Sequence, residues 1–303
     1  MVRIELQTEL TYGIDQQGAD FVFNFQPAQT PCQTISGERL QLSQPVVAQT
    51  YTDPLTRNRY LRVRALPGEL RVTYQTTVDL RHHFAQASRL DEIPVSRLPP
   101  DVVVYIYPSR YCPSDRLIRF ATTEFGALPQ GYARVEAILH WVQAHVTFTS
   151  NTSNSSTSAL DTLVERVGVC RDFAHLMIAL CRAVNIPARF TTGTDYGADP
   201  QLGPPDFHAY VEVYLGDRWY IFDPSGTGIP MGFVRVGTGR DATDVAFATI
   251  FGSVLTQAPF IRAVAVEDDT HGIRLPQVCN EALSTDVGGG THWLSLSEEV
   301  SAH

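Results

Sequence analysis

The chain has 303 residues, of which 44% are hydrophobic and 18% charged, a composition typical of globular proteins and not of disordered chains. This length is enough for about two domains of ordinary size. Acidic residues outnumber basic ones by 32 to 23 and give a net charge of −9, which argues against nucleic acids and anionic membranes as partners because both require a basic face.

The first hundred residues carry apolar side chains at alternate positions, which is the period of a half-buried β-strand. Turn-forming pairs such as Gln17-Gly18 and Pro67-Gly68 separate these runs. The runs comprise Val2, Ile4 and Leu6; Phe21, Phe23 and Phe25; and Leu70, Val72 and Tyr74. Several short strands at this spacing predict an antiparallel β-sandwich-like domain over residues 1–108.

Beyond residue 108 the apolar residues recur at helical spacing, which predicts helices near residues 117–125 and 132–142. Ser158 is a candidate N-cap for a helix that Gly168 would end. The most apolar helix is predicted over residues 170–184, since Asn185-Ile186-Pro187 stops it. Strands are predicted over residues 188–192, 207–215, 218–223, 233–236 and 260–266. We therefore expect an α+β domain over residues 109–268 and a loosely ordered C-terminal extension over residues 269–303.

Cys170 occupies the position that a cysteine nucleophile needs. It follows Gly168-Val169 and opens the most apolar helix, so its sulfur would lie among the unpaired N–H groups of the first turn. Their partial positive charge favours a thiolate, and the same N–H groups could hold the oxyanion of a tetrahedral intermediate. A small core residue is the alternative interpretation, because free cysteine is among the most buried residue types.

Residues 207–223 are predicted to form a β-hairpin whose two-residue turn is Gly216-Asp217. With that turn Asp223 faces Tyr210, and His208 lies two residues away on the same strand face. His208 and Asp223 are then diagonal neighbours ~7–8 Å apart at the backbone, within reach of each other's side chain. A carboxylate that orients an imidazole, which in turn deprotonates a thiol, is a cysteine-type catalytic triad. A turn aspartate and a surface histidine are the alternative interpretation.

Three sequence blocks around these residues carry a further signal. They are Gly168-Val169-Cys170-Arg171-Asp172-Phe173-Ala174-His175, Asp206-Phe207-His208-Ala209-Tyr210 and Trp219-Tyr220-Ile221-Phe222-Asp223-Pro224. In this order and at this spacing they resemble the bacterial transglutaminase-like superfamily. Weaker similarity extends to Ile186-Pro187-Ala188-Arg189, Pro108-Ser109-Arg110-Tyr111-Cys112 and Gly239-Arg240-Asp241-Ala242-Thr243-Asp244-Val245-Ala246.

The resemblance implies a papain-like, transglutaminase-like α+β catalytic core preceded by a β domain. In that core Cys170 would be the nucleophile, His208 the general base and acid, and Asp223 the residue that orients His208. The resemblance also implies acyl transfer through a thioester on a peptide or protein substrate, without a cofactor. No acidic cluster has the spacing of a calcium loop, so no metal is required.

Within this class we favour hydrolysis by a cysteine peptidase or amidase. A transglutaminase must keep water from the thioester so that an amine can react, and no feature of the sequence indicates such a gate. Protein-glutamine transglutaminase or deamidase activity with the same triad is one alternative. A non-catalytic binding protein on the same fold is the other.

The remaining cysteines receive structural interpretations or none. The chain has five cysteines, an odd number, widely spaced and without a C-x-x-C pair, which argues against a disulfide framework and a thiolate zinc site. Cys181 is expected in the core and Cys112 in packing at the domain junction. Cys32 and Cys279 have no recurring partner in the sequence.

Several polar residues near the motifs are expected to stabilise the site rather than to react. His175 lies about 140° around the helix from Cys170, so it is interpreted as a core histidine. Asp172, in the first helical turn, interacts favourably with the helix dipole. Salt bridges are expected for three residues of the weaker blocks, Arg110, Arg240 and Asp241. A side-chain donor to an oxyanion could come from any of three residues that precede the nucleophile, Gln143, Asn151 and Asn154.

The sequence also indicates a cellular location. It contains no window of 18 apolar residues, and its first residues alternate like a strand and lack the apolar core of a signal peptide. We therefore expect a cytoplasmic protein that does not bind membranes, with its oligomeric state open. Residues 194–205, rich in glycine and proline, precede His208, and whether they gate the cleft is an open question.

Overall fold

The N-terminal part of the chain is an antiparallel β-structure. The computed structural model describes residues 1–194, 196–198 and 206–291. Six strands come first: β1 Val2–Ile14, β2 Ala19–Phe23, β3 Gln33–Leu42, β4 Ala48–Thr52, β5 Arg59–Ala65 and β6 Gly68–Leu80. Buried and more exposed side chains alternate along β1 and β6, as expected for strands with one face in a core.

Residues 100–239, here called the α+β region, follow one three-residue strand and two short 3-10 turns, and they contain the helices. The helices are α1 Pro100–Val103, α2 Ile118–Phe125, α3 Tyr132–His145, α4 Ala159–Glu165 and α5 Cys170–Ala183. The strands outside the N-terminal six begin with β7 His83–Ala85, β8 Thr147–Phe148, β9 Val167–Gly168, β10 Ala188–Thr194, β11 Phe207–Leu215, β12 Arg218–Phe222 and β13 Arg235–Gly239. The chain is thus of mixed α+β class, as predicted.

Helix α5 lies at the centre of the α+β region. One side packs against β10 and β11, in an antiparallel sheet of order β12-β11-β10-β13. Helices α2, α3 and α4 pack on its other sides, so every residue from Asp172 to Ala183 is buried. Most of these buried residues are apolar, as expected for a helix covered on all sides, and the buried polar ones, Asp172, His175 and Arg182, each have a hydrogen-bond partner. The surrounding core holds its first residue, Cys170, in place.

The last strands return to the N-terminal part. They are β14 Ala248–Phe251, β15 Val254–Thr256 and β16 Phe260–Val266, followed by β17 Ala282–Ser284. Strand β14 pairs with β2, while β15 and β16 both pair with β1. The two sheets are therefore β15-β1-β6-β3, with β16 also on β1, and β14-β2-β5-β4. We call these two sheets the N-terminal sandwich.

Side chains from both sheets form the core of the N-terminal sandwich, which confirms the predicted sandwich-like architecture. The first sheet contributes Leu10, Tyr12, Leu70, Val72 and Tyr74, and the second contributes Phe21, Phe23, Leu61 and Val63. The predicted domain boundaries at residues 108 and 268 stay predictions. The strands of residues 248–266 pair with the N-terminal sheets, whereas the sequence analysis places them in the catalytic domain. The free edges of β1 and β2 offer unpaired N–H and C=O groups, and these strands satisfy them.

The C-terminal extension also differs from the expectation. We expected residues 269–303 to be loosely ordered, and residues 292–303 lie outside the described part. Strand β17 instead pairs with β7, and Ala282 and Ser284 are fully buried. Glu212 of β11, also fully buried, accepts hydrogen bonds from Arg189 (Nε–Oε2 2.6 Å) and Arg235, and Arg235 also contacts Thr285. Burial of paired polar groups thus fixes residues 282–285 on the α+β region.

Helix α4 begins where the sequence predicts but ends earlier. Asp161 accepts a hydrogen bond from the N–H of Ser158 (2.8 Å), as in a capping box. The helix ends at Arg166, which has a left-handed backbone conformation (φ 59°), and not at Gly168. Gly168 belongs to β9, which pairs in parallel with β8. Two residues of strand therefore lead directly into helix α5.

Candidate active site

The turn before Cys170 is held by Asp172. The carboxylate of Asp172 accepts hydrogen bonds from the N–H of Val169 (2.9 Å) and from Ser153 Oγ (2.9 Å). A Cβ atom on Gly168 would lie 2.7 Å from Cβ of Asp172, closer than two carbon atoms can approach. Glycine at this position therefore allows Asp172 to cap the helix, and the cap sets the backbone of Cys170, which is half-buried.

The hairpin that carries His208 and Asp223 has the predicted register. Leu215 pairs with Arg218, and the two turn residues, Gly216 (φ 51°) and Asp217 (φ 66°), both have the positive φ of a type I′ turn. His208 Nε2 consequently lies 3.3 Å from Asp223 Oδ1, with both side chains almost fully buried. The predicted neighbourhood of these two residues is observed.

Asp223 is held by donors on the loop that follows it. Its Oδ1 accepts from the N–H (3.1 Å) and Oγ (2.6 Å) of Ser225, and its Oδ2 from the N–H of Gly228 (3.3 Å). Burial alone would raise the pKa of Asp223, but His208 and these hydrogen bonds lower it below its ordinary value. The carboxylate therefore stays ionised next to His208.

His208 connects Asp223 to Cys170. Burial alone would lower the pKa of His208, but the Asp223 carboxylate, and to a smaller extent the nearby Cys170 sulfur, raise it to about 10. The imidazole also contacts Phe233, with ring centroids 4.8 Å apart, which restricts its rotation. The structure thus brings Cys170, His208 and Asp223 together in the order thiol, imidazole, carboxylate.

A cleft of about 640 Å³ opens at Cys170 and His208. One wall comes from β11 and from residues 242–249, which lead into β14: Phe207, Ala209, Ala242, Thr243, Val245, Ala246, Phe247 and Thr249. Another comes from the segment before α4 and from the start of α5: Ser153, Asn154, Ser155, Val169 and Arg171. Tyr111, Phe190, Thr192 and Asp206 complete the lining. The candidate nucleophile is therefore accessible from a pocket large enough for a substrate side chain.

Tyr111 and Arg171, to which the sequence assigned no role, fix the residue 153–157 segment beside the cleft. The Arg171 guanidinium lies 4.3 Å from the centroid of the Tyr111 ring and donates to Ser153 Oγ and to the carbonyl of Thr157. Tyr111 Oη donates to the carbonyl of Ser155 (2.7 Å). Only the membership of Tyr111 and Arg171 in the similar sequence blocks could have indicated these contacts.

The expected salt bridges are present in part. Arg240 pairs with Asp244 (Nε–Oδ2 2.9 Å), which confirms the expectation for that residue. Asp241 instead accepts from the backbone N–H groups of Tyr111 (3.0 Å) and Thr243 (2.9 Å), so the salt-bridge expectation is wrong there. Arg110 lies over the ring of Tyr111, 5.1 Å from its centroid. Two of the weaker sequence blocks are thus brought together by Asp241.

His175 is a core residue, as expected. It is fully buried between Tyr111 and Phe190, with ring centroids at 5.1 and 4.9 Å. Burial and the neighbouring Arg171 lower its pKa well below the ordinary value, so the ring is neutral. Its Nε2 accepts a hydrogen bond from the N–H of Ala242 (3.2 Å). His175 therefore links helix α5 to the wall of the cleft.

The three candidate donors to an oxyanion occupy different places. Gln143 donates through Nε2 to the carbonyl of Asp223 (3.3 Å) and does not line the cleft. Asn151 is exposed, with φ of 63°. Asn154 lines the cleft, and its Oδ1 accepts from the N–H of Ser156 (2.8 Å). Of the residues 194–205 questioned as a gate, 195 and 199–205 lie outside the described part.

The other cysteines are unpaired. Cys112 and Cys181 are fully buried, as expected, and burial raises the pKa of both thiols, to about 12 for Cys112. Cys32 and Cys279 are half-buried, and burial also raises their pKa values. In residues 1–194, 196–198 and 206–291, no cluster of three or more His, Cys, Asp and Glu side chains could hold a metal ion. No helix in those residues is long and apolar enough to cross a membrane.

A buried helix that presents a cysteine at its first residue to a histidine and an aspartate on an antiparallel sheet defines a papain-like α+β protein. Comparison with known proteins agrees with this class. A family model for the transglutaminase-like superfamily matches residues 119–224, the segment from helix α2 to the residue after Asp223. Together with the close structural relative described next, this shows that the chain belongs to the transglutaminase-like superfamily.

That relative is a candidate cysteine protease from Cytophaga hutchinsonii. Its crystal structure is 36% identical in sequence, covers 93% of this chain and 97% of its own, and superposes with a TM-score of 0.86. An uncharacterised protein of Mycobacterium leprae is 27% identical over 191 residues, 61% of this chain and 68% of that protein. An uncharacterised protein of Mycobacterium tuberculosis is 34% identical over 110 residues, and the match spans only 35% of its length.

Proposed function

We propose that the protein is a cysteine-dependent acyl-transfer enzyme that hydrolyses a peptide-type amide through a thioester at Cys170. The observation that carries the proposal is the contact chain at the base of the cleft. Cys170 and His208 line the same cleft, the sulfur lies close enough to raise the pKa of His208, and His208 Nε2 lies 3.3 Å from the buried carboxylate of Asp223. A thiol, an imidazole and a carboxylate in this order generate and stabilise a nucleophilic thiolate.

In the first half of the reaction, His208 already holds the proton as an imidazolium, as its raised pKa requires, and the ionised sulfur of Cys170 attacks the amide carbonyl. The developing oxyanion is stabilised by first-turn N–H groups of α5. The His208 imidazolium, whose pKa is raised, then donates its proton to the departing nitrogen as the C–N bond breaks. The products of this half are a free amine and a thioester on Cys170.

In the second half, His208 removes a proton from a water molecule, which attacks the thioester carbonyl. The C–S bond breaks, the substrate leaves as a carboxylic acid, and the starting pair of Cys170 thiolate and His208 imidazolium is restored. Asp223 acts throughout by holding the ring of His208 and by stabilising its positive charge. Each step uses groups that line the cleft or contact a residue that does.

Hydrolysis is favoured over amine transfer by one comparison. The relative from Cytophaga hutchinsonii is described as a candidate cysteine protease, and it is similar to this chain over nearly its whole length. Product analysis with a glutamine peptide and a primary amine separates the two activities. Amine incorporation in excess of hydrolysis and deamidation would assign transglutaminase activity instead. The peptide or protein substrate and the cytoplasmic location are parts of the same proposal.

Thiol labelling tests the nucleophile directly. At neutral pH we expect iodoacetamide to label Cys170 much faster than Cys32 and Cys279, with sites read by peptide mass spectrometry. Cys170→Ala should remove the fast phase, His208→Ala should slow it, and Cys279→Ala, a second half-buried cysteine, is the matched control. Equal labelling of all three half-buried thiols would contradict the proposal and favour a non-catalytic binding protein.

A further inference from the structure

We propose that the cleft selects substrates with an apolar side chain next to the scissile amide, and that the N-terminal sandwich holds the wall that makes this selection. The inference rests on the proposed function, because it places a substrate at Cys170. It assigns to the wall residues Phe207, Val245, Ala246 and Phe247 the role of a specificity subsite. It also gives the N-terminal sandwich a part in substrate recognition.

The wall beside His208 is an apolar surface. The rings of Phe207 and Phe247 stack, with centroids 4.8 Å apart and planes 21° from parallel. Val245 and Ala246 precede Phe247 along the chain and line the same cleft as Cys170. Phe207, Phe247 and His208 all line this cleft, so a substrate held at His208 would meet the apolar surface. An apolar side chain on the substrate would lose water-exposed area against it, which favours binding.

Two polar side chains of the cleft lining already have hydrogen-bond partners. Thr192 Oγ1 donates to the carbonyl of Val245 (3.1 Å). Arg171, a cation in the cleft lining, directs its guanidinium to Ser153 Oγ, to the carbonyls of Asn154 and Thr157, and to the Tyr111 ring. A glutamine amide placed against Phe207 and Phe247 would leave water without gaining a hydrogen bond there, which is unfavourable.

The N-terminal sandwich holds this wall in place. The carbonyl of Phe247 accepts a hydrogen bond from the N–H of Asn24 (2.9 Å), and the next residue begins β14, which pairs with β2. Both Phe207 and Phe247 pack against the core of the sandwich. The ring pair therefore joins the catalytic sheet to the sandwich, and a shift of the sandwich would move the subsite.

The test uses matched peptides that differ only in the residue that supplies the scissile carbonyl, namely Phe, Leu or Gln. We expect kcat/KM to be about tenfold or more higher for Phe and Leu than for Gln, the range typical of apolar pockets. Binding of the same peptides to Cys170→Ala should follow the same order. Because binding needs no turnover, the preference is tested even if the proposed hydrolysis fails.

Ala246→Glu probes the wall without disturbing the core, since Ala246 is exposed. It should weaken binding of the Phe and Leu peptides about tenfold, mainly through KM, because a carboxylate against the wall opposes burial of their apolar side chains. Ala127→Glu, an equally exposed alanine outside the cleft, adds the same charge and should change nothing. Equal affinity for Phe and Gln peptides, no measurable binding of any of them, or an unaffected Ala246→Glu variant would each overturn the inference.

Discussion

Asp223→Asn removes one charge from the site while keeping nearly the same shape. Asp223 Oδ1 lies 3.3 Å from His208 Nε2, and both side chains are almost fully buried. At an effective dielectric constant of ~20, unit charges at this distance attract by about 5 kcal/mol. Since ~1.4 kcal/mol corresponds to a factor of ten, the carboxylate shifts the protonation equilibrium of His208 by more than three orders of magnitude.

In the Asp223→Asn variant, burial is no longer opposed by the carboxylate, so the pKa of His208 should fall from about 10 to near or below its ordinary value. At pH 7 the ring changes from imidazolium to neutral imidazole. We expect kcat/KM to fall by ~10³–10⁴, the loss seen when a triad carboxylate is neutralised. The variant should remain folded, because the asparagine oxygen can still accept from Ser225.

An NMR titration of the His208 ring in the parent and the variant measures this change, and peptide hydrolysis is measured on the same samples. Asp268→Asn, in the exposed pair of Asp268 with His271, is the control and should alter neither His208 nor activity. If the pKa of His208 in Asp223→Asn stayed within half a pH unit of the parent value, the electrostatic reasoning would be refuted.

The remaining predictions concern stability. The pKa of His208 is raised above its unfolded value in the folded state, so the stability that its charged form contributes is complete below about pH 6.5 and is lost as pH rises towards 10. The unfolding free energies of the parent and of His208→Gln, measured with denaturant, should therefore converge over that range. A difference that stays constant with pH would contradict this prediction. Glu212→Ala removes the fully buried carboxylate that pairs with Arg189 and Arg235, and leaves only the longer contact of Arg189 with Asp286 (3.5 Å). It should cost ~3–5 kcal/mol of unfolding free energy, whereas Asp20→Ala, in an exposed pair with Arg64, should cost less than about 1 kcal/mol. Similar losses in the two variants would contradict this reasoning. Gly168→Ala forces Asp172 to move, so it should lower the unfolding free energy by ~1–3 kcal/mol and slow the labelling of Cys170. A variant with the thermal midpoint and the labelling rate of the parent would show that the helix cap tolerates a Cβ atom at residue 168.

Local features of the fold were predictable because their causes lie within a few residues. The Gly216-Asp217 turn fixes the register of β11 and β12, since a two-residue turn determines which residues face each other. That register placed His208 beside Asp223. The start of α5 at Cys170 followed in the same way, from the apolar period of the helix and the residues that precede it.

Long-range pairings were not predictable from the sequence. The apolar alternation identified residues 260–266 as a strand, but alternation specifies a face and not a partner, so the pairing of this strand with β1 went unrecognised. The contacts of Arg171 with the carbonyl of Thr157, and of Asp241 with the N–H of Tyr111, join side chains to backbone groups. Because every residue carries such groups, no sequence pattern marks these contacts.

The return of β14, β15 and β16 to the first strands has a consequence for biosynthesis. The ribosome synthesises the whole α+β region after β6 and before β14. At ~5–20 residues per second, the N-terminal sandwich therefore lacks its last three strands for a time on the order of ten seconds. During that interval β1 and β2 each expose an open edge, the kind of surface that pairs with other chains. The nascent chain is therefore most prone to aggregate before residue 266 emerges. The cleft wall at Phe247 is completed in the same late step, so the cleft is complete only when the open sheet edges have been covered.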